Sequence, residues 1–280
     1  MNLYIATKRE VELYEKVIYV AQDRILNALG RAFENAFYLT GGTALSRFYF
    51  HHRLSEDLDL FTATENIKTA VPRIVKIIED LGYSVSVKST SVTFGRIFVS
   101  LEGKEKLKID LVADYPLEKP KAVKDFFIDT IKNIAVNKIV AFEDRAELKD
   151  LVDLFYIVKE GKIDLNEILE LADRKRVPVP YEELLTINTL GLTGSVFLLK
   201  EVNIKELEDF LLELKEILEE NVKKKVKEAK ERVEEIVYAL LWDYPFQERK
   251  LNENTLAVLK RRIKELPYPE RLALKEIGVW

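Results

Sequence analysis

Apolar residues in the first thirty positions recur three and four apart. Tyr14, Val17, Ile18, Ala21, Ile25 and Leu29 share one helical stripe over residues 9–29, and Gly30 is placed to end it. The pattern then shortens. "AFYLT" (36–40) reads as a buried strand, followed by Gly41-Gly42 and a short helix from Thr43, and "DLDLF" (57–61) reads as a second strand. A helix is expected over 68–81, ended by Gly82, with Pro72 acceptable only in its first turn. Three further strands follow in "YSVSVKS", "TFGRIFVSLE" and "KLKIDLVAD", with Gly103-Lys104 turning the last two into a hairpin. After "DYPLEKPK" (114–121) the periodicity is helical from about residue 131 onward, interrupted by "KRVPVP" and "GLTG". The pattern predicts an α+β protein: a mixed sheet with flanking helices over 1–120, then an all-helical domain over 121–280.

Composition narrows the chemistry. The chain has 44 basic and 48 acidic residues and a net charge of −4, so any polyanion-binding surface must be local. "NVKKKVKEAKER" (221–232) is such a basic stretch, either a solvated helix face or an RNA backbone contact. There is no cysteine, which excludes disulfides, thiolate metal sites and cysteine nucleophiles. His51 and His52 are the only histidines, too few for a histidine-rich metal site, and their place at the end of a short helix suits a structural role. No apolar run reaches membrane-spanning length and the first residues lack a signal-peptide core, so a soluble, cytoplasmic protein without a membrane partner is expected. One methionine among many Lys and Glu points to a thermophilic source.

Candidate chemistry concentrates where polar residues interrupt apolar strands. Residues i and i+2 of a strand share a face, so Asp57 and Asp59 project together while Leu58 and Leu60 enter the core. Two adjacent carboxylates repel unless a proton or cation lies between them, and Mg²⁺ takes one or two carboxylates plus substrate phosphates. The alternative is the water-facing side of an edge strand. Gly41-Gly42, between a strand and a helix, would let backbone N–H groups approach a phosphate, although any tight strand-to-helix turn can use glycine. Asp110 interrupts "KIDLV" and would complete a carboxylate triad if its strand lies beside 57–61. Lys138 and Arg145 would share a face of an unbroken helix, and Asp150 and Asp153 are helical neighbours.

The order of glycine pair, Asp-x-Asp and later Asp resembles the nucleotidyltransferase superfamily related to DNA polymerase β. "GGTALS…HRLSEDLDLF" is similar, more narrowly, to the AbiEii/MenT-type nucleotidyltransferase toxins of type IV toxin–antitoxin systems, and "NKIVAFEDRAELKDLVDLFYI" (137–157) extends the resemblance. The resemblance covers about residues 35–160. It implies a nucleotidyltransferase-type sheet, NTP as substrate, Mg²⁺ at Asp57, Asp59 and Asp110, and catalytic roles for these with Lys138 and Asp153. It implies nucleotide contacts from Gly41, Gly42, Arg53, Ser55, Lys138 and Arg145. Distant relatives carry a serine where Gly42 stands, so Thr43 or Ser46 would supply the phosphate-binding hydroxyl. The implied acceptor is RNA, the 3′ end of tRNA, with a cognate antitoxin as protein partner. A protein or small-molecule acceptor, or a non-catalytic nucleotide- or RNA-binding module, are the competing expectations.

Overall fold

The computed structural model describes residues 1–101, 106–143, 146–242 and 253–280. The chain opens with β1 (Asn2–Ile5), α1 (Lys8–Leu13) and α2 (Tyr19–Ala32), the two helices joined through a π-helical turn at Tyr14–Ile18. Thr7 and Glu10 cap α1 reciprocally, the Thr7 amide donating to the Glu10 carboxylate at 2.7 Å. β2 (Tyr38–Thr40) leads into α3 (Gly41–Ala44), which continues as a π-helical turn through Leu45–Phe50. Then come β3 (Leu58–Thr62), α4 (Ile67–Asp80), β4 (Ser84–Thr90), β5 (Phe94–Ser100) and β6 (Lys106–Ala113). β7 (Lys121–Val123) and β8 (Phe126–Ile128) precede α5 (Ile131–Val140), α6 (Leu148–Lys159), α7 (Leu165–Lys175) and α8 (Tyr181–Thr186). β9 (Ser195–Leu198) is followed by α9 (Ile204–Glu231), α10 (Val233–Leu240), α11 (Glu253–Ile263) and α12 (Tyr268–Glu276).

The main sheet is mixed, in the order β4-β5-β6-β3-β2-β8-β7. β3 lies between parallel β6 and antiparallel β2, so Asp59 is flanked in register by Asp110 and Thr40. The alternation along β3 and β6 explains the arrangement: Leu58, Leu60, Ile109 and Leu111 are buried on one face, which leaves the intervening aspartates on the other. Helix α4 packs over β4, β5 and β6, and α2 packs over β8. Gly95 permits the close approach of α4, because a Cβ there would meet Ile67 at 2.9 Å.

Several expectations change. The sheet has seven strands among the described residues rather than five, and its last two come from residues 121–128, past the boundary expected at 120. Each is only three residues long, too short for an alternating pattern to show. β1 and β9 form a separate two-stranded parallel ribbon, so the second half is not wholly helical. Pro72 sits in the second turn of α4, not the first. Both it and Lys68, whose carbonyl loses its partner, are exposed, so water can take the bond. The Gly103-Lys104 turn lies outside the described residues. The basic stretch 221–232 belongs mostly to α9, which buries Leu214, Leu218, Val222, Val226 and Ala229. Lys225 pairs with Asp173 at 2.7 Å, Lys230 with Glu276 at 2.6 Å, and Lys223, Lys224 and Lys227 face water.

Asp129, between β8 and α5, is buried; its carboxylate accepts from Thr40 Oγ1 at 2.7 Å and from the Thr130 amide at 3.0 Å. Burial pushes this carboxyl up from 3.8 to about 6 against those hydrogen bonds. A raised acid stabilises the fold most below its unfolded value, and that contribution is lost as pH rises through the folded value. Two units correspond to roughly 3 kcal/mol. Chemical denaturation is therefore expected to show stability falling between pH 4 and pH 6, and Asp129→Asn should remove that slope.

Candidate active site

Asp57 and Asp59 face a cavity of about 240 Å³ whose wall continues through Gly42, Arg53 and Ser55 to Lys108 and Lys138. Tyr14, Lys149, Ser195 and Phe197 line its outer part. The glycine pair beside it has two distinct reasons. Gly41 takes φ +69°, the left-handed region, and a Cβ there would collide with the Asp59 carboxylate. At Gly42 a Cβ would collide with the Arg53 guanidinium and approach Asp153 at 3.2 Å. The pair lets the strand-to-helix turn close onto an aspartate on one side and an arginine on the other.

Behind the cavity lies a buried cluster of charges. Arg53 grips Asp153 with Nε–Oδ1 at 2.7 Å and Nη2–Oδ2 at 2.9 Å, while its Nη1 donates to the Leu54 carbonyl at 3.0 Å. Lys138 Nζ lies 2.7 Å from both Asp150 and Asp153. His52 Nε2 is 2.8 Å from Asp153 Oδ1, and its ring lies against Tyr156 with centroids 4.6 Å apart. Burial opposes charge on Asp153, but Arg53, Lys138 and the His52 hydrogen bond hold its carboxyl well below the usual carboxylate range. Lys138 is likewise disfavoured by burial, yet Asp150 and Asp153 raise it above the ordinary lysine value. Burial lowers His52, which keeps it neutral. Asp150 and Asp153 thus support a lysine and an arginine that reach the cavity.

The front carboxylates are differently engaged. Lys108 Nζ is 2.8 Å from Asp57 Oδ2 and 3.5 Å from Asp110 Oδ2. Arg96 holds Asp110 through two parallel bonds, Nε–Oδ1 at 2.7 Å and Nη2–Oδ2 at 2.8 Å. Burial raises the Asp59 carboxyl, Lys108 pulls it down, and the neighbouring Asp57 and Asp110 charges raise it further. Among the described residues no three acidic or histidine side chains converge to hold a metal ion. In this arrangement Arg96 engages both oxygens of Asp110, the residue expected as a third metal ligand, with one bond to each. Asp57 and Asp59 fit a hard cation: they are oxygen donors on one face, and an ammonium already sits between Asp57 and Asp110.

Other expectations are sorted by the same geometry. Thr43 Oγ1 donates to the Asp57 carbonyl and lies 2.9 Å from Ser55 Oγ, and Ser46 Oγ donates to the Arg53 carbonyl. Both hydroxyls are buried and anchor the 53–57 segment, and neither residue lines the cavity. Arg53 and Ser55 do line the cavity, although the arginine fork is taken by Asp153. Arg145 lies outside the described residues, and the helix expected to carry it with Lys138 ends at Val140. His52 is promoted from helix-end residue to a member of the buried cluster, while His51 caps its turn with φ 52° in the open. Lys108 and Arg96 were not anticipated; each interrupts an apolar strand on the same face as Asp110, a period-two signal present in the sequence. No signal marked Phe197, because the pattern read the surrounding segment as an interruption.

Comparison with known proteins fits this geometry. Residues 24–232 match the family described as "Nucleotidyl transferase AbiEii toxin, Type IV TA system". The chain belongs to this family. An uncharacterised Aquifex aeolicus (strain VF5) protein, aq_aa25, is 33% identical over 147 residues, or 50% of this chain and 66% of that protein, a little under two thirds. The fold is similar to that of JHP933 from Helicobacter pylori (TM-score 0.52, 20% identity, 74% of this chain and 94% of that one). It is also similar to MenT4, a nucleotidyltransferase toxin from Mycobacterium tuberculosis H37Rv (TM-score 0.50, 17% identity, 72% and 82%). No helix among the described residues is long and apolar enough to cross a membrane.

The cluster makes a direct prediction. Asp153→Ala strands Arg53 and Lys138 beside one remaining buried carboxylate, and breaking a buried pair costs about 3–5 kcal/mol. Thermal unfolding should show a large drop in midpoint, whereas Lys149→Ala, on the cavity rim, should shift it little.

Proposed function

We propose that the protein is a Mg²⁺-dependent nucleotidyltransferase that moves a nucleoside monophosphate from NTP to the hydroxyl at the 3′ end of a tRNA. In the cell it would act as the toxin of a type IV toxin–antitoxin pair, restrained by a cognate antitoxin. The observation that carries this is the placement of Asp57 and Asp59 on a cavity whose other wall holds Lys138. Mg²⁺ held by Asp57 and Asp59 would supply positive charge against the triphosphate oxygens. Two of the three N–H bonds of Lys138 point to Asp150 and Asp153, and the third is left for a phosphate oxygen. The amides of the Gly41-Gly42 turn, at the start of α3, favour the same anion.

The transfer is an in-line displacement. The acceptor oxygen forms a bond to the α-phosphorus, the bond from that phosphorus to the β-phosphate bridge oxygen breaks, and pyrophosphate leaves. The hydroxyl proton passes to Asp110, the register neighbour of Asp59, and the Arg96 pair must open for this. Nothing is oxidised or reduced. Positioning and charge do the work, which is why the buried cluster matters although only its Lys138 would meet the substrate.

Incubation with labelled NTPs, Mg²⁺ and total tRNA tests the proposal. Label is expected on tRNA, reduced at least a hundredfold in Asp57→Ala and abolished by chelation of Mg²⁺. Label on protein or on a small molecule would move the acceptor, and absence of NTP binding in the presence of Mg²⁺ would end the transferase reading.

A further inference from the structure

The outer part of the cavity has a use that the phosphate chemistry leaves unexplained. Along β9, Val196 and Leu198 are buried while Ser195 and Phe197 face out, and Ser195, Val196 and Phe197 all line the cavity. Phe197 pairs in register with Tyr4 of β1, and the two rings lie 5.8 Å apart and tilted by 30°. They are 36% and 50% exposed, two adjoining aromatic rings on a ribbon whose β9 strand buries Val196 and Leu198 on its other face. Tyr4 does not line the cavity, so the aromatic surface begins inside it at Phe197 and continues outward.

The ribbon is not a loose appendage. The Leu54 amide donates to the Phe197 carbonyl at 2.8 Å, and Leu199 donates to the His52 carbonyl at 2.8 Å. Leu54 precedes Asp57 by three residues, which span about 10 Å at most. Backbone hydrogen bonds therefore tie Phe197 to the segment that leads into the carboxylates.

We propose that Phe197 and Tyr4 form a stacking platform for the unpaired bases at the 3′ end of an RNA acceptor. Aromatic side chains bind single-stranded nucleic acid by offering flat faces to bases, with little regard to sequence. Two successive rings leading out of the cavity suit a strand end, which has several bases; an NTP has one. Lys108 and Lys138 at the inner end and Lys149 on the rim, each now paired with a carboxylate, suit the phosphates that accompany those bases. The proposal rests on the transferase reading for the identity of its ligand.

The test uses fluorescence anisotropy with a 5′-labelled RNA hairpin carrying a four-nucleotide single-stranded 3′ tail, beside the same hairpin without the tail. Affinity for a fluorescent NTP analogue with Mg²⁺ is measured in parallel. Phe197→Ala should weaken binding of the tailed hairpin about tenfold or more, Tyr4→Ala less, and Phe197→Trp should restore it. NTP affinity and the thermal midpoint should stay close to wild type, since the ring is exposed and Val196 and Leu198 keep the core. Unchanged RNA binding in Phe197→Ala overturns the proposal, as does loss of NTP affinity instead. Unchanged RNA binding together with altered sedimentation would assign the face to a second protein chain, which also overturns it. If no NTP binds in the presence of Mg²⁺ but the tail still binds through Phe197, the transferase reading fails and the platform stands.

Discussion

Asp153 is the point on which the molecule is balanced. It carries a negative charge away from water, and it is stable only because Arg53, Lys138 and His52 reach it with good geometry. Such a cluster repays its desolvation in one arrangement and in few others. The members come from three pieces of chain: Lys138 from α5, Asp153 from α6, and His52 and Arg53 from the segment leading into β3. The cluster thereby decides how the helical half sits on the sheet and where the chain enters Asp57. A change that loosens it would disturb the cavity without removing any group that touches substrate.

The two glycines express the same constraint on a smaller scale. Gly41 makes room for Asp59 and Gly42 for Arg53, so the turn between β2 and α3 is squeezed between the front carboxylates and the buried cluster. Thr43 and Ser46, on the next helical turn, use their hydroxyls to fasten the 53–57 backbone. One short stretch therefore holds its own catalytic segment from both sides.

Much of this was legible from the chain. Period-two alternation put Asp57 and Asp59 on one face and Asp110 on the polar face of its own strand, because the leucines and isoleucines between them had only one core to enter; that the two strands are neighbours came from the fold. The helices over 9–29 and 68–81 were equally visible in their apolar stripes. What escaped was non-local or too short to carry a period. β7 and β8 are three residues each, and β1 finds its partner β9 almost two hundred residues away. His52 looked dispensable because nothing nearby in sequence marks Asp153 as its partner. The engagement of Asp110 by Arg96 turns on side-chain geometry that spacing does not encode.

The segment 193–199 is bonded on one side to residues 52–54 and on the other to residues 146–148. It works as a latch, and it has a consequence in time. During synthesis Asp57 is made about 140 residues before Phe197, a delay on the order of ten seconds at typical elongation rates. Until the latch emerges, the loop bearing Asp57 lacks its backbone partners and the aromatic ribbon has one strand only. A chain cut short of residue 193 would be built without either set of these backbone bonds, and so without the tie between residues 52–54 and 146–148.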